Sequence, residues 1–174
     1  MSDVRTTRLL VHPIDTDEAT RVLRRVAGPG DAWAHDFPFE GDLIAFRAFV
    51  QHTAESGEQR PFGHYRITAL HDGLAIGGIG FRGPPTGGRV EIGYGLVPSA
   101  RGHGYAREAL VAMLALASTH GVRVVEATTT PDNVASQRTL AHAGFTLMAT
   151  GDRLHHYEVG LENTTPTTAP RERP

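Results

Sequence analysis

Between a strand-like run and a long helix-like run lies PSARGHGYAREAL, Pro98–Leu110. A helix starting there opens on Arg-Gly-His-Gly-Tyr-Ala rather than on an ordinary Ser, Thr, Asp or Asn cap. Its first N–H groups have no partner inside the helix, and the helix dipole leaves partial positive charge at that end. Glycines remove the Cβ atoms that would fence those amides off. Amides from about Gly102 to Ala106 can then converge on an anion, a phosphate or pyrophosphate, with Arg101 and His103 adding charge. The competing reading is that the glycines only turn the chain from strand to helix.

A second glycine motif has to be set aside. GIGFRG (Gly78–Gly83) matches the dinucleotide fingerprint letter for letter. That fingerprint must open a helix, and here Pro84-Pro85 follows at once. These glycines fit strand curvature or a close approach of backbone instead.

Composition narrows the chemistry. The chain has 174 residues and no cysteine, which removes disulfides, thiolate metal sites and a Cys nucleophile. All 17 basic residues are arginine, so a Schiff-base lysine and a Walker-loop lysine are absent too. A net charge of −2 offers no basic field for nucleic acid or acidic lipid. The longest apolar run, Ala109–Ala117, falls well short of the roughly 18 residues of a membrane span. MSDVRTTR at the start lacks the apolar region of a signal peptide. The expectation is a soluble, cytoplasmic protein without nucleic-acid or membrane partners.

Periodicity predicts the order β-α-α-β-β-β-α-β-α-β-β. Thr6–Ile14 reads as a strand, Asp15–Gly28 as a helix ended by Gly28, and Asp42–Ser56 as a second helix with Leu43, Phe46, Phe49 and Val50 at helical spacing. Tyr65–Leu70 and Leu74–Arg82 form a hairpin, and Arg89–Val97 is the next strand. A buried helix, Tyr105–His120, ends at Gly121. Val122–Thr129 is a strand and Val134–Gly144 a helix; FTLMAT and HHYEVGL close the chain as strands. A strand, a crossover helix and another strand imply local parallel pairing within a mixed α/β layer. One domain over residues 1–162 is expected, followed by a disordered polar, Pro-rich tail over 163–174.

With these blocks in view, the chain resembles the GNAT superfamily of acyl-CoA-dependent N-acyltransferases. RGHGYA matches that family's pyrophosphate loop, Arg/Gln-x-x-Gly-x-Gly/Ala. TTRLLVHP, VEIGYGLVPSARGHGYAREAL and PDNVASQRTLAHAGF, in this order, are most similar to the branch containing ribosomal-protein N-terminal acetyltransferases. The resemblance runs from Thr6 to Leu161. It implies a GNAT-like fold: a central, mostly antiparallel sheet with one splayed parallel strand pair and flanking helices.

It also implies a site. Arg101, Gly102, His103, Gly104, Tyr105 and Ala106 would bind the pyrophosphate of acetyl-CoA, and backbone groups of Leu96 and Val97 would pair with the pantetheine. Asn133 and Ser136 match the family's Asn-x-x-Ser and would approach the pantetheine and thiol; Arg138 would reach the nucleotide phosphates. The implied activity is acetyl transfer from acetyl-CoA to a primary amine by direct attack in a ternary complex. The branch points to a protein N-terminal amine as acceptor. A small-molecule or antibiotic amine, or a catalytically inactive CoA-binding module, is the alternative.

For chemistry, an amine must lose a proton and a leaving thiolate must gain one. Glu91, between Val90 and Ile92, is the first candidate base, and Glu126 on the neighbouring strand is the alternative; a bulge near IGYG would exchange their faces. Ser136 is the candidate donor to the thiolate. The tyrosine that many relatives carry after the second helix is missing from AHAGFTLMATGD, and Tyr157 comes later, where it fits strand packing. Trp33, Phe37 and Phe39 are candidates to line the acceptor pocket with Tyr94 opposite, core packing being the equal alternative. No HExxH occurs, and His155 and His156 would point to opposite faces of a strand, so no metal is expected. A homodimer through a sheet edge is compatible with the sequence.

Overall fold

The computed structural model describes residues 3–161. The expected tail, 163–174, lies outside the described residues, as does residue 162. Eight strands form one sheet in the order β1-β2-β3-β4-β5-β6-β8-β7. They are β1 (Val4–Arg5), β2 (Leu9–Pro13), β3 (His64–Ala69), β4 (Ala75–Phe81), β5 (Arg89–Leu96), β6 (Val124–Thr129), β7 (Thr146–Thr150) and β8 (His155–Gly160). The helices are α1 (Thr16–Leu23), α2 (Glu40–Ser56), α3 (Tyr105–Thr119) and α4 (Val134–His142). Among the described residues all neighbouring strands are antiparallel except β5 and β6. The predicted order therefore holds, with the two-residue β1 added ahead of β2.

The parallel pair is short. It joins Arg89 to Val124, Val90 to Val125 and Glu91 to Glu126, and there the ladder ends. β6 goes on to Thr129 against β8, and β5 to Leu96 against β4. Past Glu91 the two strands part. The β4–β5 register runs unbroken from Gly77↔Leu96 to Phe81↔Ile92, with no bulge at IGYG to exchange the faces. Register shifts lie elsewhere, between Ile67 and Thr68 of β3 and between Leu147 and Ala149 of β7.

Local chemistry explains the helix limits. The Asp15 carboxylate accepts from the Glu18 N–H at 2.7 Å and starts α1. α1 stops at Leu23, short of the predicted Gly28, because Arg25 adopts a left-handed φ of 54°. The N–H of Arg25 then bonds back to Val22 and that of Val26 to Arg21. Gly28 instead sits in a turn closed by Asp31, which accepts its N–H at 2.8 Å. α3 buries Ala109, Leu110, Met113, Leu114 and Ala117, one stripe at helical spacing, and Gly121 at φ 77° follows its C-cap. In α2 the fully buried Phe46 ring packs edge-on to His64, centroids 4.9 Å apart. Burying a side chain of that size stabilises by roughly 1.5–3 kcal/mol.

The sheet separates two helix layers. A Cβ on Gly95 would strike the Phe39 ring at the start of α2, so Gly95 and Gly93 face that side. By alternation Ile92 and Tyr94 face the other, where the Tyr94 hydroxyl meets Ser136 of α4 at 3.0 Å. The β5–β6 gap lies between these layers.

Candidate active site

The glycine loop folds as its sequence suggests. A short 3-10 helix, Pro98–Ala100, leads into Arg101 in extended conformation, then Gly102 and Gly104 at φ 78° and 77°. Gly104 is the N-cap of α3 and offers no side chain for capping. Among the described residues no group accepts from the N–H of Gly102, His103 or Gly104. The N–H groups of Tyr105, Ala106 and Arg107 open the helix and lack intrahelical partners. A Cβ on Gly102 would meet nothing within 4 Å. Three amides without a partner, Gly102 to Gly104, thus lead into the three that open the helix, an arrangement suited to an anion.

A residue that sequence reasoning missed braces this loop. Arg8, before β2, donates to the His103 carbonyl at 2.9 Å and to Glu108 in the first turn of α3 at 2.7 Å. Its guanidinium also lies 4.8 Å from the centre of the Tyr105 ring, which stacks on His103. Thr6 donates its hydroxyl to the same Glu108 carboxylate at 2.7 Å. The Arg8–Glu108 pair is half exposed on the arginine side, so its contribution is about 1 kcal/mol. Arg8→Ala is accordingly expected to raise the acetyl-CoA Kd about fivefold while leaving kcat at saturation unchanged. Calorimetric titration checks this, and an unchanged Kd would show that the loop holds its shape unaided.

Just after β5 the Val97 N–H donates to the Ile76 carbonyl at 2.9 Å, and its carbonyl accepts from Ala100 at 3.0 Å. Val97, expected to share in strand-like pairing with a ligand, has its N–H already engaged. Antiparallel alternation then turns the backbone groups of Leu96 away from β4, toward the gap. The Leu96 carbonyl accepts from Arg101 Nε at 3.0 Å, and Arg101 also covers the Phe39 ring. A carbonyl has a second lone pair, and the Leu96 N–H faces the gap.

Asn133 caps α4, its side-chain oxygen accepting from the Ser136 N–H at 3.1 Å. Ser136 is thereby fixed in the first turn with its hydroxyl on Tyr94. Burial pushes the Tyr94 phenol up, the bonds to Ser136 and Thr139 pulling the other way, so it stays protonated. Arg138 is exposed on α4.

A cleft of about 450 Å³ runs from α2 to Ser136. Its floor is Gly78, Gly80, Gly93 and Gly95, and Phe39, Phe49, Phe62, Phe81 and Tyr94 line it. The fingerprint-like glycines of β4 thus make room for the His64 ring: a Cβ on Gly78 or Gly80 would lie 2.6 or 2.5 Å from it. Trp33 and Phe37 do not line the cleft. They pack edge to face at 5.4 Å, in the core position that was the competing expectation.

Two buried titratable groups in the cleft were not anticipated. His64 is 8% exposed and Asp42 2%. Burial pushes the His64 imidazole down to about 4, leaving it neutral. Burial pushes the Asp42 carboxyl up to about 7, although it accepts the Phe39 N–H at 3.1 Å.

Glu91 stands just behind the lining. It accepts from the Thr128 hydroxyl at 3.2 Å and ion-pairs with Arg82 at 3.1 Å, and both of those residues line the cleft. Glu126 shares its face, because directly opposed residues of a parallel pair point the same way. Glu126 differs in being tied to Arg89, at 2.6 Å, together with Glu158. Among the described residues no group of three or more His, Asp or Glu side chains could hold a metal ion, and no helix is long and apolar enough to cross a membrane.

An open-amide helix start thus lies beside a parallel strand pair that parts. The family model described as an acetyltransferase (GNAT) domain matches residues 8–146, and the chain belongs to the GNAT acetyltransferase family. Members of that family draw their acetyl group from acetyl-CoA.

Solved structures share the fold. An acetyltransferase from Agrobacterium tumefaciens is 22% identical with a TM-score of 0.64, over 91% of this chain and 94% of that one. RimL, a ribosomal L7/L12 alpha-N-protein acetyltransferase in complex with coenzyme A, is 16% identical with a TM-score of 0.67, over 93% and 99%. A ribosomal-protein-S5-alanine acetyltransferase from Vibrio fischeri is 15% identical with a TM-score of 0.64, over 92% and 97%. No curated protein sequence matches the chain.

Proposed function

We propose that this protein is an N-acetyltransferase that moves the acetyl group of acetyl-CoA to a primary amine by direct attack. The observation that carries the reading is the run of unpartnered amides from Gly102 into α3, set beside the gap that opens after Glu91. These amides with His103 would hold the pyrophosphate, and Leu96 would pair with the pantetheine arm. Acetyl-CoA supplies the activated acetyl group as its thioester.

The chain's own residues then have three tasks. Glu91, held in an ion pair by Arg82, takes the proton from the attacking amine, directly or through a water. The amine nitrogen bonds to the thioester carbonyl carbon, and the C–S bond breaks. The Ser136 hydroxyl, backed by the buried Tyr94 phenol, returns a proton to the departing thiolate. With no cysteine in the sequence, an acyl-cysteine intermediate has no site. The acceptor enters from the α2 side, through the glycine-floored cleft. A protein N-terminal amine and a small-molecule amine both meet that requirement.

Amine-dependent thiol release from acetyl-CoA tests the reading. Glu91→Gln is expected to lower kcat by roughly 100-fold or more, in the range of general-base catalysis, with acetyl-CoA affinity within about twofold of wild type. Unchanged turnover would remove Glu91 from the mechanism. Tight acetyl-CoA binding with no release for any amine would instead favour a CoA-binding module.

A further inference from the structure

His64 has no assigned task in acetyl transfer. Its ring is buried over Gly78 and Gly80, in the wall of the cleft, and among the described residues Nε2 has no hydrogen-bond partner. Both glycines line the cleft, and each would lose its fit to the ring if it carried a Cβ. A buried polar atom without a partner is unfavourable, and a ligand group entering the cleft would supply one. β3, which carries His64, stands two strands from β5 and hence on the order of 10 Å from the edge of the gap. The same cleft is lined by the rings of Phe39, Phe49, Phe62 and Phe81, together with the polar His52, Gln59 and Arg82.

Resting on the acetyl-transfer reading, we propose that His64 selects the acceptor: the cleft takes a primary amine on an aromatic body whose far end carries a hydroxyl, and His64 hydrogen-bonds that hydroxyl. A neutral imidazole offers one donor and one acceptor nitrogen, and a hydroxyl satisfies either tautomer. Because the ring is uncharged at neutral pH, it gives no ion-pair advantage to a carboxylate, and its basicity is too low for it to be the principal base for an amine. The shared chemistry is a hydroxyphenyl-ethylamine unit. It has two sources, a free arylalkylamine or the N-terminal tyrosine of a peptide.

Matched pairs test the proposal: tyramine against phenethylamine, and tyrosinamide against phenylalaninamide. Binding is measured by calorimetry with saturating CoA, and thiol release from acetyl-CoA is followed in parallel. The hydroxylated member of at least one pair is expected to bind about tenfold more tightly, since a site built for a hydroxyl rejects the analogue lacking it. The pair that shows the preference identifies the source. His64→Leu is expected to shrink the preference to twofold or less, and His64→Gln to restore part of it. The wild-type comparison needs no variant, so misfolding of either substitution leaves the test intact. Equal affinities within both pairs, or no measurable binding of any of the four, overturn the proposal. A hydroxyl preference without acetylation would retain the His64 assignment and sink acetyl transfer; turnover of both members at equal affinity would do the reverse.

Discussion

Gly104→Val is expected to fold normally and to bind acetyl-CoA roughly ten- to a hundredfold more weakly than wild type. Gly104 sits at φ 77°, where a β-branched side chain is strained. Relieving that strain moves the N-cap of α3 and breaks the alignment of the amides that follow it. Space is not the obstacle, since the nearest atom to a Cβ here is the end of Arg8, at 3.5 Å. The strain alone corresponds to about 1–2 kcal/mol, or about tenfold; dispersal of the amides accounts for the rest. α3 keeps its buried stripe from Ala109 to Ala117, so the melting temperature should fall only slightly. Calorimetric Kd values for both proteins decide the matter. Equal Kd values would mean that the loop does not hold the pyrophosphate.

The second large effect concerns stability against pH. Asp42→Asn is expected to stabilise the protein at pH 8 and to change it little near pH 4. The folded protein keeps the Asp42 proton up to about pH 7, whereas an unfolded aspartate releases it near 3.9. Between those values the folded state binds more protons than the unfolded one, so stability falls as pH rises through that window. Above pH 7 the wild type bears the full penalty, up to roughly 4 kcal/mol. Asparagine retains an acceptor oxygen for the Phe39 N–H and never ionises. His64 has the opposite sign. It stays neutral in the folded protein down to about 4, while an unfolded histidine gains its proton near 6.5. Its contribution is therefore lost as pH falls from about 6.5 toward 4. Urea midpoints from pH 4 to 8 separate the two: the Asp42→Asn gain should grow with pH. A gain that is the same at every pH would mean that the carboxyl is not buried as described.

The cradle was legible because it is local. Its glycines and its amides lie between Gly102 and Arg107, at the start of the helix they open, and Gly102 and Gly104 take positive φ. Whatever depends on strand register was not legible. Gly78, Gly80, Gly93 and Gly95 become one floor only because Gly80 pairs with Gly93 and Gly78 with Gly95. His64 reaches that floor only because it pairs with Gly80. Arg8 braces the loop from 95 residues away, and no local pattern announces it. Strand alternation could not choose between Glu91 and Glu126, because parallel pairing puts both on one face; the ion pairs to Arg82 and Arg89 distinguish them. The end of α1 was misplaced because Gly28 is the usual terminator, whereas Arg25 took the left-handed conformation instead.

Ligand-dependent melting tests the central claim most directly, by comparing acetyl-CoA, CoA, ADP and NAD at one common concentration that saturates acetyl-CoA. A ligand present at about 100 times its Kd stabilises by roughly 2.7 kcal/mol, which at this size is a shift of several degrees. Amides at the α3 start combined with a gap along β5 predict that shift for acetyl-CoA and CoA, with little for ADP or NAD, which lack the pantetheine arm. An equal shift with ADP, or none with CoA, would contradict the account.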